Sequence, residues 1–186
     1  MILEDIFNQL SAHMIEGLMF HSQLSDYFGF IGLKGEQQCH KYHYFEENAN
    51  YRKLCEYYLH HYNKLISELP FNNPKVIPES WYKYTRYDMN STTRKNAIQC
   101  GIDKWVNWEK DTKSTYEAMY HELIALGEVA AAQEIKKYVC DVDAELADAM
   151  QLDIEFRALD YDIYTIMDFQ EEKYQKYNNK LKEIQL

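Results

Sequence analysis

Two glutamates, Glu47 and Glu109, fall where two long amphipathic helices should be apolar. Around the first, one helical face reads His40, Tyr44, Glu47, Tyr51, Leu54 and Tyr58. Around the second it reads Ile102, Trp105, Glu109, Thr112, Tyr116, Met119 and Leu123. Steps of three and four residues place each set on one side of a helix. A carboxylate inside a helical core costs several kcal/mol unless something pairs with it. The usual partners are a basic side chain and a metal ion. Arg52 or Lys53, or core tyrosine hydroxyls, could satisfy Glu47, and Lys113 could satisfy Glu109. The choice between base and metal separates an enzyme from a scaffold.

The elements that must hold these acids are helical. The chain has 186 residues, enough for one domain with a sizeable core. Hydrophobic residues make up 46%, and 17 tyrosines can bury their rings while keeping their hydroxyls paired. Six glycines and three prolines leave few places for turns. All three prolines, Pro70, Pro74 and Pro78, lie in one segment that divides the chain. Before it, the spacing predicts helices over 2–30 and 36–69, joined by a turn around Gly29, Gly32 and Gly35. After it, a short helix over 79–87 precedes long helices over 91–126 and 128–158, with Ser91 or Thr92 as the cap of the first and Gly127 as its stop. A last helix carries Ile163, Met167, Tyr174, Tyr177, Leu181 and Ile184, with Asp160 as its cap. It is either separate from the helix before it or continuous with it. The organisation is therefore all-α: an antiparallel four-helix bundle over 1–158 with one long crossover, and a C-terminal fifth helix over 159–186.

The net charge of −10 disfavours nucleic-acid binding, which needs clustered Lys and Arg. No apolar run approaches the ~20 residues that span a bilayer, and MILEDIF has no signal-peptide pattern, so the expectation is a cytoplasmic protein. Cys39, Cys55, Cys100 and Cys140 have no zinc-ligand spacing and read as buried, reduced thiols. The chain contains no GxSxG, P-loop or GxGxxG motif. His40, His60, His61 and His121 read as surface or edge residues, and Glu171-Glu172 as a solvated face.

Over roughly residues 6 to 155 the sequence resembles the ferritin-like superfamily, and bacterial ferritins in particular. The Glu-Glu-x-x-His motif of the second ferritin helix reads Glu46-Glu47-Asn48-Ala49-Asn50 here, with Asn50 at the histidine position. The third-helix ligand glutamate matches Glu109, followed at the family's spacing by Gly127-Glu128. The fourth-helix Glu-Gln-x-x-Glu matches Asp141-Val142-Asp143-Ala144-Glu145, in which only Glu145 is kept. The first-helix ligand glutamate falls on Met14. The DNA-protecting mini-ferritins (the Dps family) are similar too, but their site is not reproduced: the matching region offers Tyr42 and Glu46.

The resemblance implies a di-iron protein that oxidises Fe(II) with O₂ or peroxide and contributes to iron storage or oxidative-stress protection, assembled as a homo-oligomer. It places Glu47, Glu109 and Glu145 as metal ligands. His21 stands at the level of a ferritin tyrosine, within reach of Glu109, and His43 lies one turn before Glu47. Imidazole and carboxylate donors suit iron, zinc or manganese. The alternative is a degenerate ferritin-like scaffold that keeps the fold, binds partners or copies of itself, and performs no metal chemistry.

Overall fold

The computed structural model describes residues 2–67, 71–81 and 85–184, and within these five α-helices account for most of the chain. The helices are α1 (Leu3–Ile31), α2 (Lys34–Tyr62), α3 (Ser91–Ala125), α4 (Val129–Ala158) and α5 (Ile163–Ile184). Glu4 and Asp5 in the first turn of α1 suit its N-terminal dipole, and Gly32, in the left-handed region at φ 99°, ends it. The connection to α2 is therefore only Gly32 and Leu33. Gly29 and Gly35, expected in the turn, belong to the helices themselves.

The second helix ends seven residues earlier than the expected Leu69. Asn63 turns left-handed at φ 53° and its N–H closes the helix on the Leu59 carbonyl. Residues 68–70, which include the end of that expected helix and Pro70, lie outside the described residues. The crossover follows α1, because α1 side chains hold its backbone. Asn8 Oδ1 accepts from Ser67 N–H at 2.9 Å, Glu16 from Asn72 at 2.7 Å and Gln23 from Val76 at 3.1 Å. The short helix expected over 79–87 is two 3₁₀ turns, Glu79–Trp81 and Arg86–Asp88, while 82–84 lie outside the described residues. Asn90, rather than Ser91 or Thr92, caps α3: its side-chain oxygen accepts the Thr93 N–H at 2.8 Å.

Cross-helix contacts fix the topology. Phe7 meets Tyr58 and His21 meets His40, so α1 and α2 are antiparallel. His13 meets Thr112 and Tyr27 meets the Ala97 carbonyl, so α1 and α3 are antiparallel as well. His43 near Glu145 and Tyr62 bonded to Glu128 set α2 against α4 in the same way. Parallel α2 and α3 require a connection running the length of the bundle, which the proline segment provides.

Asp160 and Tyr161, both at φ 52°, break the chain between α4 and α5, so the last two helices are separate. Asp160 is not the cap; Asp162 Oδ2 accepts the Thr165 N–H at 3.1 Å. Gln170 and Lys173 meet Glu36, and Tyr177 and Lys180 meet Tyr42, so α5 runs beside α2 in the same direction. Gly35 allows this docking, because a Cβ there would stand 2.7 Å from the Gln170 carbonyl oxygen. The buried side of α5 carries Ile163, Ile166, Gln170, Tyr177 and Leu181. Met167 and Ile184, expected on that side, are exposed: the helix turns its polar Gln170 and Lys173 inward to reach Glu36. No helix among the described residues is long and apolar enough to cross a membrane.

Apolar side chains form two separate layers. One holds Ile6, Leu10, Met14, Leu54, Tyr116 and Ile135. The other holds Phe20, Leu24, Phe28, Ile102, Trp105 and Phe156 and extends under α5. Along α1 the first layer ends at Met14 and the second begins at Phe20. His21, Glu47, Glu109 and Glu145 are placed by this seam.

Candidate metal centre

The seam gathers donors from all four bundle helices. His21 of α1, Glu109 of α3 and Glu145 of α4 form one group whose ligand atoms lie within 4.8 Å of one another. His43 and Glu46 of α2 form a second group with the same Glu145, within the same distance. His21 and Glu109 are buried at 0% and 1% side-chain exposure, whereas Glu145 is at 20% and Glu46 at 38%. The first group is therefore closed and the second open. The open group faces a cleft of about 300 Å³ between α2 and α4, also lined by Asn50, Asp141, Tyr177 and Lys180.

Each donor has a distinct set of neighbours. Trp105 donates its indole N–H to Glu109 Oε1 at 2.8 Å, and His21 Nε2 lies 3.7 Å from the same oxygen. His21 Nδ1 and His40 Nδ1 share a hydrogen bond at 3.0 Å. His43 Nδ1 is 3.1 Å from Glu46 Oε2 and 3.4 Å from Glu145 Oε2. Tyr42 donates to Glu46 Oε1 at 2.8 Å. Glu47 is buried beside Gly17, where an added Cβ would stand 3.3 Å from its carboxyl group, and among the described residues its Oε2 has no hydrogen-bond partner. Among the described residues His21 Nε2 is likewise buried and makes no hydrogen bond, whereas His43 Nδ1 lies between the Glu46 and Glu145 carboxylates. Buried polar atoms are nearly always bonded, so unmatched donor atoms converging on one seam point to a missing partner. Three carboxylates and two imidazoles supply the oxygen and nitrogen donors that iron, zinc and manganese accept, so the residues fit a metal.

The charge states follow from burial and from one another. Burial, and then the nearby Glu145 charge, push the Glu47 carboxyl up to about 8. The same two causes hold Glu109 well above the ordinary carboxylate range. Burial keeps His21 neutral, near a value of about 3, and lowers His40 well below its usual range. Burial also works to lower His43, but the Glu145 carboxylate and the Cys39 thiol outweigh it and hold His43 well above the ordinary value. Glu145 shows the converse, lowered by His43 against the effect of burial. Burial thus favours the protonated forms of Glu47 and Glu109, while His43 and Glu145 favour each other's charged forms.

Of the residues expected from sequence, His21, Glu109 and Glu145 come together, and His43 joins Glu145. Glu47 lies buried in the same seam but belongs to neither three-donor group. Lys113, offered as a partner for Glu109, pairs instead with Asp143 at 2.5 Å and Glu117 at 3.8 Å. Arg52 and Lys53 are exposed, so neither pairs with the buried Glu47. His40, read as a surface or edge residue, is wholly buried. Among the thiols only Cys39 is buried; Cys55 and Cys100 are half-buried and Cys140 is exposed, all free. Glu46 and His40 are the residues that the sequence reading missed. The run His40-x-x-His43-x-x-Glu46 was their signal, a single ridge at i, i+3 and i+6.

Solved structures settle the fold. An engineered closed form of the Archaeoglobus fulgidus ferritin superposes with a TM-score of 0.74 at 15% identity, covering 92% of this chain and 93% of that one. The fold is ferritin-like. A humanized archaeal ferritin matches with a TM-score of 0.75 at 15% identity, over 92% of this chain and 94% of that one. The open-pore ferritin of Archaeoglobus fulgidus gives 0.74 at 15% identity, over 91% and 93%. No protein-family model matches the chain, and no curated protein matches it by sequence.

Proposed function

We propose that this ferritin-like chain binds iron at a two-metal centre in the seam. His21, Glu109 and Glu145 would hold one ion; His43, Glu46 and Glu145 would hold the other, with Glu145 as the shared ligand. Glu47 supplies a further carboxylate beside them. The observation that carries this reading is the convergence of two three-donor groups on one carboxylate, with His21 Nε2 and Glu47 Oε2 left without hydrogen bonds among the described residues. Bound Fe(II) would supply the electrons that reduce O₂ or peroxide, giving the protein a role in iron storage or oxidative-stress protection. The archaeal ferritins of the same fold support iron over zinc or manganese.

The protein's own contribution is to desolvate the ions, fix their donors and manage protons. Burial favours the protonated forms of Glu47 and Glu109, and the Glu145 carboxylate favours that of His43. A divalent cation displaces such protons, so metal binding should strengthen as pH rises through neutrality. The cleft beside Tyr42 and Asn50 leads solvent to His43 and Glu46 and stops short of His21. We also read the chain as a cytoplasmic homo-oligomer, which light scattering would check.

The deciding experiment measures metal content and Fe(II) oxidation of the wild type and of Glu145→Gln. The wild type should carry about two irons and oxidise Fe(II), and E145Q should lose both, because one carboxylate serves both ions. A wild type that binds no metal from Fe(II), Zn(II) or Mn(II) would leave the scaffold reading.

A further inference from the structure

His40 belongs to neither donor group, yet it is wholly buried. Its ring stacks on Phe28 at 5.3 Å and meets Trp105 edge-on at 4.5 Å, so it cannot swing to another partner. Among the described residues its hydrogen bond is to His21, Nδ1 to Nδ1 at 3.0 Å, and its Nε2 has none. A hydrophobic side chain of similar size would occupy this position without leaving a buried nitrogen unpaired. The polar function of His40 is therefore directed at His21.

We propose that His40 is a positioning residue: its Nδ1 accepts the Nδ1–H of His21, which leaves His21 Nε2 free to ligate a cation. The proposal rests on the two-metal reading above. Only one proton fits between two ring nitrogens at that separation. Placed on His21, it makes Nε2 a lone pair facing Glu109 and Glu145. Without an acceptor at Nδ1, the proton of neutral His21 would move to Nε2 and block the position a metal needs. Metal-ligating histidines generally donate their second N–H to a carboxylate, a carbonyl or water. Here the acceptor is a neutral imidazole, which orients His21 without adding a negative charge to a seam already rich in acids.

The test uses the full chain labelled with ¹⁵N at histidine, Zn(II) as a diamagnetic probe, and the variants His40→Phe and His40→Gln. In the Zn(II)-loaded wild type, His21 should show a metal-bound Nε2 and a protonated Nδ1, with scalar coupling across the bond to His40 Nδ1. H40F should bind Zn(II) about 10- to 100-fold more weakly. H40Q, whose amide oxygen can accept the same proton, should recover most of that loss. Zinc bound through His21 Nδ1, or H40F binding as tightly as the wild type, would overturn the role of His40 and leave the metal centre standing. A wild type that takes up no Zn(II) would overturn both. If H40F fails to fold, the wild-type spectrum and H40Q still decide.

Discussion

Helix α2 carries two buried carboxylates about three turns apart, and their surroundings are opposites. Glu36 is fully buried and every contact is matched: its backbone N–H donates to Gln170 Oε1 at 3.0 Å, Gln170 Nε2 donates to its Oε1 at 3.1 Å, and Lys173 donates to its Oε2 at 2.6 Å. Glu47 is also buried, but among the described residues its Oε2 has no hydrogen-bond partner and its carboxyl makes no ion pair with a lysine or arginine. A cluster that closes on itself holds a structure together. A cluster whose donors converge and remain unmatched spends stability for something that must arrive from outside. The first fastens α5 to α2; the second is the candidate metal centre.

The largest effect should come from opening the closed cluster. Glu36→Leu removes the carboxylate that Lys173 bonds and leaves its ammonium beside the Trp105 ring, 5.5 Å from its centroid, with Asp148 as a remaining acid that makes no hydrogen bond to it among the described residues. Breaking a buried pair from one side costs about 3–5 kcal/mol. For a chain of this size that lowers Tm by roughly 6–20 °C in a thermal melt. The double change Glu36→Leu, Lys173→Met should return much of the loss, since replacing the whole pair removes the stranded charge. A double variant no more stable than the single one would show that the pair is irreplaceable and break the contrast.

The open cluster should respond to ligand instead. Zn(II) at a hundred times its Kd should stabilise the wild type by about 2.7 kcal/mol, a rise in Tm of roughly 5–11 °C. E145Q and His21→Phe should show little of this rise, whereas the Glu36 variants should keep it. A zinc shift that depends on Glu36 and ignores Glu145 would exchange the roles of the two clusters.

How far the sequence revealed this contrast depended on what signalled each residue. Glu47 and Glu109 interrupt apolar stripes, and an acid in a stripe is conspicuous whatever its partner. The helix hairpins and the crossover were equally plain, because glycines and prolines mark where the hydrophobic period stops. Glu36 gave no such mark. It stands in the first turn of α2, where acids are ordinary, and its partners lie more than 130 residues away on α5. The true buried side of α5 was hidden for the same reason: Gln170 and Lys173 turn inward only because Glu36 waits there. His40 was misread because a histidine's burial depends on what its neighbours do, and the neighbour that keeps it, His21, is on another helix.

Glu47 gives a pH test of the same contrast. In the unfolded chain a glutamate ionises near ~4.3; in the metal-free fold Glu47 ionises at about 8. Between those values the folded state keeps a proton that the unfolded state has lost. Stability therefore falls as pH rises across that window, by at most about 1.4 kcal/mol per unit from this group, and the fall ends above the upper value. Glu47→Gln cannot ionise. Without metal it should be more stable than the wild type at pH 8, by about 1–3 kcal/mol after allowance for relaxation, and the difference should vanish near pH 4. With Zn(II) bound the order should reverse if Glu47 is a ligand. Urea titrations at three pH values, with and without zinc, read all of these outcomes. A metal-free E47Q less stable than the wild type at pH 8 would mean that Glu47 is satisfied after all.

The smallest effect is expected at Lys113, and its smallness is informative. From sequence, this lysine was the simplest structural partner for Glu109, four residues along the same helix. A lysine in that role would make Glu109 part of a closed cluster like that of Glu36. In the fold its ammonium turns outward to Asp143 and Glu117, both about half exposed. Ion pairs of this kind contribute little, because water and salt screen them. Lys113→Ala should leave Tm unchanged within measurement error and should leave zinc binding intact. A substantial destabilisation, together with loss of the pH dependence assigned to the buried acids, would place Lys113 beside Glu109. The seam would then be a second closed cluster, and the scaffold reading would follow.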